Sequence, residues 1–297
     1  GLRDKAVKEV FRLMGPRLLG VAVVQLNFIA NTVIALGQPE GSVTAITLAF
    51  SLMLMPQMAV AQSAAIASLP TFSAQVALGQ FDEMRKSLAS TLRGVLLLAI
   101  PASVGLILLR TPLVAALYQR GAFTPRSTQL VAWALLWYAA GLVGHSLVEI
   151  LSRAFYALHD TRTPVIVGVV AMGLNIGLSL GFAVLFEDLG WLPHGGLALA
   201  NSLATALESV VLIAIIRKRL KGLRGAFIWK GVGIAILGAG LMAGAVISWQ
   251  ALVGGSSRLV TLFGALGVGM AVYVGWVWLL KVPELLSVLR ALRNRIR

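Results

Sequence analysis

The 297 residues are 58% hydrophobic and only 12% charged, with a mean hydropathy of +0.89 and a formal net charge of +14. A soluble domain of this length has too few interior positions to hide that much apolar surface, so the ordinary soluble classes are excluded. The positive charge is scattered over connections between apolar stretches and builds no folded basic domain, which argues against nucleic acid as a partner.

A bilayer core about 30 Å thick needs roughly 20 apolar residues per helix. Stretches that meet this lie at 16–37, 42–68, 88–110, 128–151, 163–186, 194–216, 229–252 and 259–281. Lipid offers the backbone no hydrogen-bond partners, and the short alternating segments of a β-barrel are absent. The expected fold is therefore all-α, a polytopic membrane bundle of about eight transmembrane helices.

In chain order, the N-terminal segment carries Lys5, Lys8 and Arg12 among Val7, Val10, Phe11 and Met14, and is amphipathic. The first span opens at Pro16 and contains Gln25, Asn27 and Asn31; the second contains Pro56. Residues 70–86 read as a connection, with Pro70 breaking the helix and Phe81 to Met84 starting the next one. Pro101 lies inside the third span, and prolines at such depth free carbonyls and suit a protein that rocks between two states. In the fourth span Glu149 is followed four residues later by Arg153, so the two can pair on one helix face or contact a substrate or gate. His145 is either a proton carrier or a hydrogen-bonded interior group.

Asn175 and Ser179 share a face of the fifth span, and Asn201, Ser202 and Glu208 lie in the sixth. Glu208 is close enough in sequence to Arg217 and Lys218 to snorkel toward them, with a transport or proton-relay role as the alternative. The last two spans are rich in glycine, and Gly240 with Gly244 forms a GxxxG pattern expected to let helices touch. Residues 283–297 read as a basic amphipathic helix on an anionic surface, or as a frayed tail.

The basic residues alternate. Twenty-one of the 25 fall on the N-terminal segment, the second, fourth and sixth connections with their flanks, and the C-terminal segment; Arg110, Arg120, Arg126 and Arg258 fall on the other side. This bias predicts both termini in the cytoplasm. Cysteine is absent, so disulfides and thiolate metal sites are unavailable. The first segment is charged and no small-residue cleavage site follows a short apolar core, so no signal peptide is expected. The chain begins at Gly1, which suggests a fragment of something longer. No metal-ligand spacing, nucleophile–base set or phosphate loop appears, so neither an enzyme nor a cofactor is expected. The neutral amides in spans one, five and six need partners in lipid. They either bond between helices or build a cation or headgroup site.

Several stretches together resemble the MurJ/MviN family, the lipid II flippases of the MOP exporter superfamily. Gly41-Ser42-Val43, Leu52-Met53, Pro56 and Ser68-Leu69-Pro70 are similar to that family's eighth helix, and Tyr118 to Thr124 to its loop before the tenth. The most specific stretch runs from Arg153 through Phe155, Tyr156, His159 and Asp160 to Pro164. The resemblance extends from about residue 8 to residue 215. It implies a six-helix lobe over residues 1–217 and two added helices over 218–297, with an N-terminal lobe missing. It also implies movement of a lipid-linked peptidoglycan precursor across the bacterial plasma membrane by alternating access. For this lobe it implies an ion site at Asn31, Asn175, Ser179 and Asn201; Glu149, Arg153 and Glu208, as ionisable groups at membrane depth, and Ser51, at the position of a family arginine, are the candidates for substrate or gating contacts. The chain departs from the family where an Asp-Arg pair is usual: it has Phe50-Ser51, and Asn31 stands where an acid is common. An ion site without formal charge would bind weakly. Two rivals follow: a related exporter of another lipid-linked oligosaccharide or small molecule, and a non-transporting scaffold of cell-wall synthesis.

Overall fold

The computed structural model describes residues 25–253 and 257–282, and every regular element among them is helical. The first, α1, is described over Gln25–Leu36. It is followed by α2 (Ser42–Gln57), a π-helical turn (Met58–Gln62), α3 (Ser63–Ala77), α4 (Phe81–Tyr118) and α5 (Pro125–Ala157). Then come α6 (Arg162–Asp188), α7 (His194–Arg219), α8 (Gly225–Leu252) and α9 (Arg258–Leu279). Counting Ser42–Ala77 as one run, seven of these rods are long and apolar enough to cross a membrane. The amphipathic segments expected at Lys5 to Arg12 and at 283–297 lie outside the described residues.

Local signals set the ends. Thr124 accepts a hydrogen bond from the Ser127 N–H beside Pro125 in the first turn of α5, and Ser257 accepts one from Val260 at the start of α9. At the end of α5 the Asp160 N–H reaches the Phe155 carbonyl at 3.0 Å and the His159 N–H reaches that of Tyr156 at 3.0 Å, with His159 left-handed at φ 56°. These paired bonds close the helix in a Schellman turn.

The expected break at Pro70 does not occur. The helix runs through Pro70 to Ala77, and the connection shrinks to three residues, Leu78 to Gln80. Tertiary packing holds it: Ala65 and Phe72, on either side of Pro70, are fully buried against α4 and α5. The deformation falls earlier instead, just after Pro56. There the Ser63 N–H reaches back five residues to the Met58 carbonyl, and the Ser63 hydroxyl donates to the bypassed Ala59 carbonyl at 2.6 Å. Pro101 is also absorbed inside a helix. It offers no N–H to the Leu97 carbonyl, and the Tyr273 hydroxyl of α9 donates to that carbonyl.

Helix α5 is the centre of the bundle, with α2, α3, α4 and α7 against it. Helix α6 packs on α7, while α8 and α9 pack on the far side of α4. Ile166, Val170, Leu237, Phe263 and Met270 are exposed on α6, α8 and α9, as side chains solvated by lipid would be. Trp133, Trp137, Phe186 and Trp191 cluster with ring centroids 5.1–6.3 Å apart at the end away from the basic connections, the level where aromatic belts sit.

Close contacts between helices use glycines other than those expected. Gly240 and Gly244 have open space where a side chain would stand. Gly238, two residues before Gly240 and so on the opposite face, lies directly under Trp276 and Tyr273 of α9, and Trp276 Nε1 donates to the Ile234 carbonyl at 3.1 Å. Spacing alone marks GxxxG as a candidate, but which face meets a neighbour is a tertiary matter. Gly238→Val should therefore destabilise the protein by about 1–3 kcal/mol through overpacking, whereas Gly240→Val should leave thermal unfolding in detergent unchanged.

Candidate functional site

The polar groups inside the bundle form two networks. The first joins α1 to α6. Asn27 and Asn31 each donate from Nδ2 to Asn175 Oδ1 at 2.9 Å, Asn31 also donates to Asn27 Oδ1 at 2.8 Å, and Ser179 Oγ donates to Asn31 Oδ1 at 3.0 Å. Asn175 and Ser179 are buried, and Asn175 Nδ2 has no hydrogen-bond partner among the described residues. Three of the expected ion-site residues, Asn31, Asn175 and Ser179, thus meet, and Asn27 joins them. Their spacing on each helix was legible; the pairing of α1 with α6 was not. Four neutral side chains that already bond one another supply no formal charge to a cation.

Asn201 is not in that cluster. Its Oδ1 lies 3.0 Å from His145 Nε2 of α5, with Thr205 Oγ1 3.5 Å from the same nitrogen. The reason is packing: α5 carries Gly141 and Gly144 against Ser202, Thr205 and Ala206 of α7, which turns this polar stripe toward α5. His145 is therefore a hydrogen-bonded interior group in this conformation. Phe50 of α2 stacks edge-on to Tyr138 at 5.2 Å and to His145 at 6.0 Å. Its neighbour Ser51 is exposed and donates to the Thr47 carbonyl of its own helix at 2.9 Å.

Glu149 and Arg153 pair as expected, at 2.9 Å, both partly buried. Glu208 does not snorkel toward Arg217 and Lys218. It is half-buried, with Oε1 against the Gly168 position of α6, because the missing side chain leaves room there. Sequence reading also missed Arg93, which it counted with the flank of a connection. Arg93 is buried inside α4, its guanidinium 4.2 Å from the Phe227 ring centroid and its stem under Gly231 of α8. A basic residue twelve positions into a long apolar helix was the available signal. No group of three or more His, Cys, Asp or Glu residues able to hold a metal occurs among the described residues.

The Arg153 to Pro164 stretch has a local structural role. Asp160 accepts from the Arg162 and Thr163 N–H groups at 3.1 and 3.0 Å and from the Thr163 hydroxyl at 2.5 Å, and pairs with Arg219 of α7 at 2.6 Å. It thereby ties the start of α6 to the end of α7. Partial burial pushes its carboxyl pKa up, but the hydrogen bonds from Thr163 and Arg162 and the Arg219 charge outweigh this and hold it below its ordinary value of 3.8. A depressed folded pKa contributes stability above the unfolded value and loses it as pH falls through the folded one. Asp160→Ala should thus cost about 1 kcal/mol at neutral pH, with the gap to the parent closing in acid when unfolding is followed against pH. For the asparagine cluster, Asn31→Asp should add a sodium-dependent rise in unfolding temperature that choline does not reproduce and that exceeds any rise in the parent chain.

Comparisons with known proteins agree with this architecture. A family model described as lipid II flippase MurJ matches residues 1–263. A probable lipid II flippase MurJ from Vibrio cholerae is 32% identical over 295 residues, covering 95% of this chain and 54% of its own length. The lipid II flippase MurJ of Burkholderia cenocepacia is 31% identical over 289 residues, covering 94% and 54%. The chain thus spans about half the length of the curated relatives it matches. Among solved structures, a lipid II flippase MurJ in an inward closed conformation superposes with a TM-score of 0.76 at 22% identity, over 99% of this chain and 57% of that one. A MOP superfamily transporter from Pyrococcus furiosus gives 0.62 at 16%, over 93% and 66%. Both share the fold. With its eight apolar stretches, its helical bundle and a match running from residue 1 to residue 263, the chain belongs to the lipid II flippase MurJ family.

Proposed function

We propose that this chain is the C-terminal part of a flippase that carries lipid-linked peptidoglycan precursor, lipid II, across the bacterial plasma membrane by alternating access. The family match over residues 1–263, combined with coverage of about half of each relative, carries this reading. In it, residues 1–217 form one lobe, residues 218–297 add two helices, and an N-terminal lobe of the same protein completes the cavity. The strong bias of lysine and arginine toward alternate connections supports both termini facing the cytoplasm.

The physical task is to carry a polar sugar–peptide–pyrophosphate past hydrocarbon while the lipid tail stays in it. No bond is made or broken, so the lobe needs rigidity, a wet face and a place to bend. The packing around α5 supplies the rigidity. We assign the wet face to the side of α2 that exposes Thr47 and Ser51, and the bend to the π-helical turn Met58–Gln62. Asn31, Asn175 and Ser179 are the candidate ion contacts, now with Asn27 and without Asn201. Glu149, Arg153, Glu208 and Ser51 remain the candidate gating or substrate contacts. Helix α2 bears no charged residue, so the cations facing the pyrophosphate belong in this reading to the other lobe.

One observation favours a second reading, a non-transporting scaffold. Phe50 is spent on packing and the Ser51 hydroxyl on its own helix, where the family usually places a charged pair. Complementation separates the two. In a flippase-depleted bacterium the chain alone should fail, and the chain joined to the N-terminal lobe of the Vibrio cholerae relative should restore growth. Failure of the joined protein despite normal membrane insertion would favour the scaffold.

A further inference from the structure

We infer that the end of the bundle remote from the basic connections holds a binding site for the phosphate of an anionic lipid headgroup, independent of the transport reading. A cavity of about 660 Å³ lies there between the last turns of α4 and α8 and the first turns of α5 and α9. Arg110, Thr111, Gln119, Gln129, Gln250 and Thr261 line it, and no acidic side chain does. In a chain this apolar, seven polar side chains around one hollow, Thr128 among them, is a concentration of polarity that needs a ligand or water.

Arg110 gives the ligand its sign. It lies eight residues before the end of α4, roughly 12 Å inward at 1.5 Å per residue. A partly buried cation at the end of an apolar span, in a hollow that no carboxylate lines, favours an anion as its partner. Its bond to the Ile107 carbonyl, at 2.5 Å, satisfies one N–H and neutralises nothing. The described acids at this end, Glu40, Glu187 and Asp188, stand on the α1–α2 connection and the last turn of α6, away from the lining. The remaining groups suit phosphate oxygens. Thr128 donates to Gln119 Oε1 at 3.3 Å, which leaves the Gln119 amide NH₂ as a donor, and the Thr111 hydroxyl adds another, while that of Thr261 donates to the Ser257 carbonyl at 3.4 Å. Proline also contributes, since Pro112 cannot donate to the carbonyl of Leu108, which borders the same hollow.

The surroundings point to a lipid over free phosphate. Leu252, Leu259 and Val260, beside the lining residues Gln250 and Thr261, are highly exposed apolar side chains on membrane-length helices. A headgroup can enter the cavity while its acyl chains lie along that apolar rim. Phosphatidylglycerol, with one phosphodiester charge and two hydroxyls, matches the donor set in charge and size.

The test is thermal unfolding of the full chain in detergent with phosphatidylglycerol, phosphatidylcholine or inorganic phosphate added. Phosphatidylglycerol should raise the midpoint by several degrees more than phosphatidylcholine. Arg110→Gln should lose at least half of that increment, whereas Arg110→Lys should keep most of it and Arg120→Gln, at an exposed position outside the lining, all of it. Should Arg110→Gln fail to fold, the selectivity of the parent and of Arg110→Lys for spin-labelled phosphatidylglycerol over phosphatidylcholine gives the same readout. Equal effects of the two lipids, or an undiminished phosphatidylglycerol effect in Arg110→Gln, would overturn the site. An equal shift with inorganic phosphate would overturn its assignment to a lipid.

Discussion

In hydrocarbon, every backbone and side-chain polar group must find its partner within the protein. That constraint organises this molecule. Pro101 denies a hydrogen bond to the Leu97 carbonyl, and Tyr273 of a helix far away in sequence supplies it, locking α9 to α4. The π-helical turn after Pro56 frees the Ala59 carbonyl, and Ser63 takes it. Asn27, Asn31, Asn175 and Ser179 satisfy one another, and so hold α1 to α6. His194, fully buried, bonds to the Leu130 carbonyl, while Trp133 bonds to that of Leu192. Each of these bonds also fixes which helix lies beside which.

Apolar burial cannot do this alone, because lipid tails are as apolar as the leucines they would replace. Helices in lipid therefore gain from close approach, and the bundle approaches closely where a side chain is missing. Gly141 admits Ser202, Gly238 admits Trp276 and Tyr273, and Gly231 admits the stem of Arg93. Arg93 then lies over Phe227, so one buried cation joins α4 to α8 by an aromatic face. Helices α8 and α9 are thus keyed to the rest of the bundle through α4.

Charged residues within the described bundle are few, and those with clear partners are used structurally: Glu149 pairs with Arg153, and Arg93 stacks on Phe227. Asp160 and Arg219 are committed at the bundle's basic end. The charges of the described bundle thus serve mainly to hold its helices together. The polar hollow around Arg110 stands apart from these pairs, at the opposite end and beside the lipid.

The membrane class, the helical fold, the number of apolar stretches and the alternation of basic connections were legible in the sequence, because hydropathy and charge bias act residue by residue and require no partner. So was the Glu149–Arg153 pair, because i, i+4 neighbours meet on any helix. Family kinship was legible too, in the Arg153 to Pro164 stretch. Tertiary structure decided the rest. It settled that Pro70 does not end its helix, that Gly238 makes the close contact while Gly240 faces outward, and that Asn201 turns to His145 and away from Asn31. In each case the local pattern allowed two outcomes. The choice depended on which face of one helix another helix covers, and that depends on residues distant in the chain.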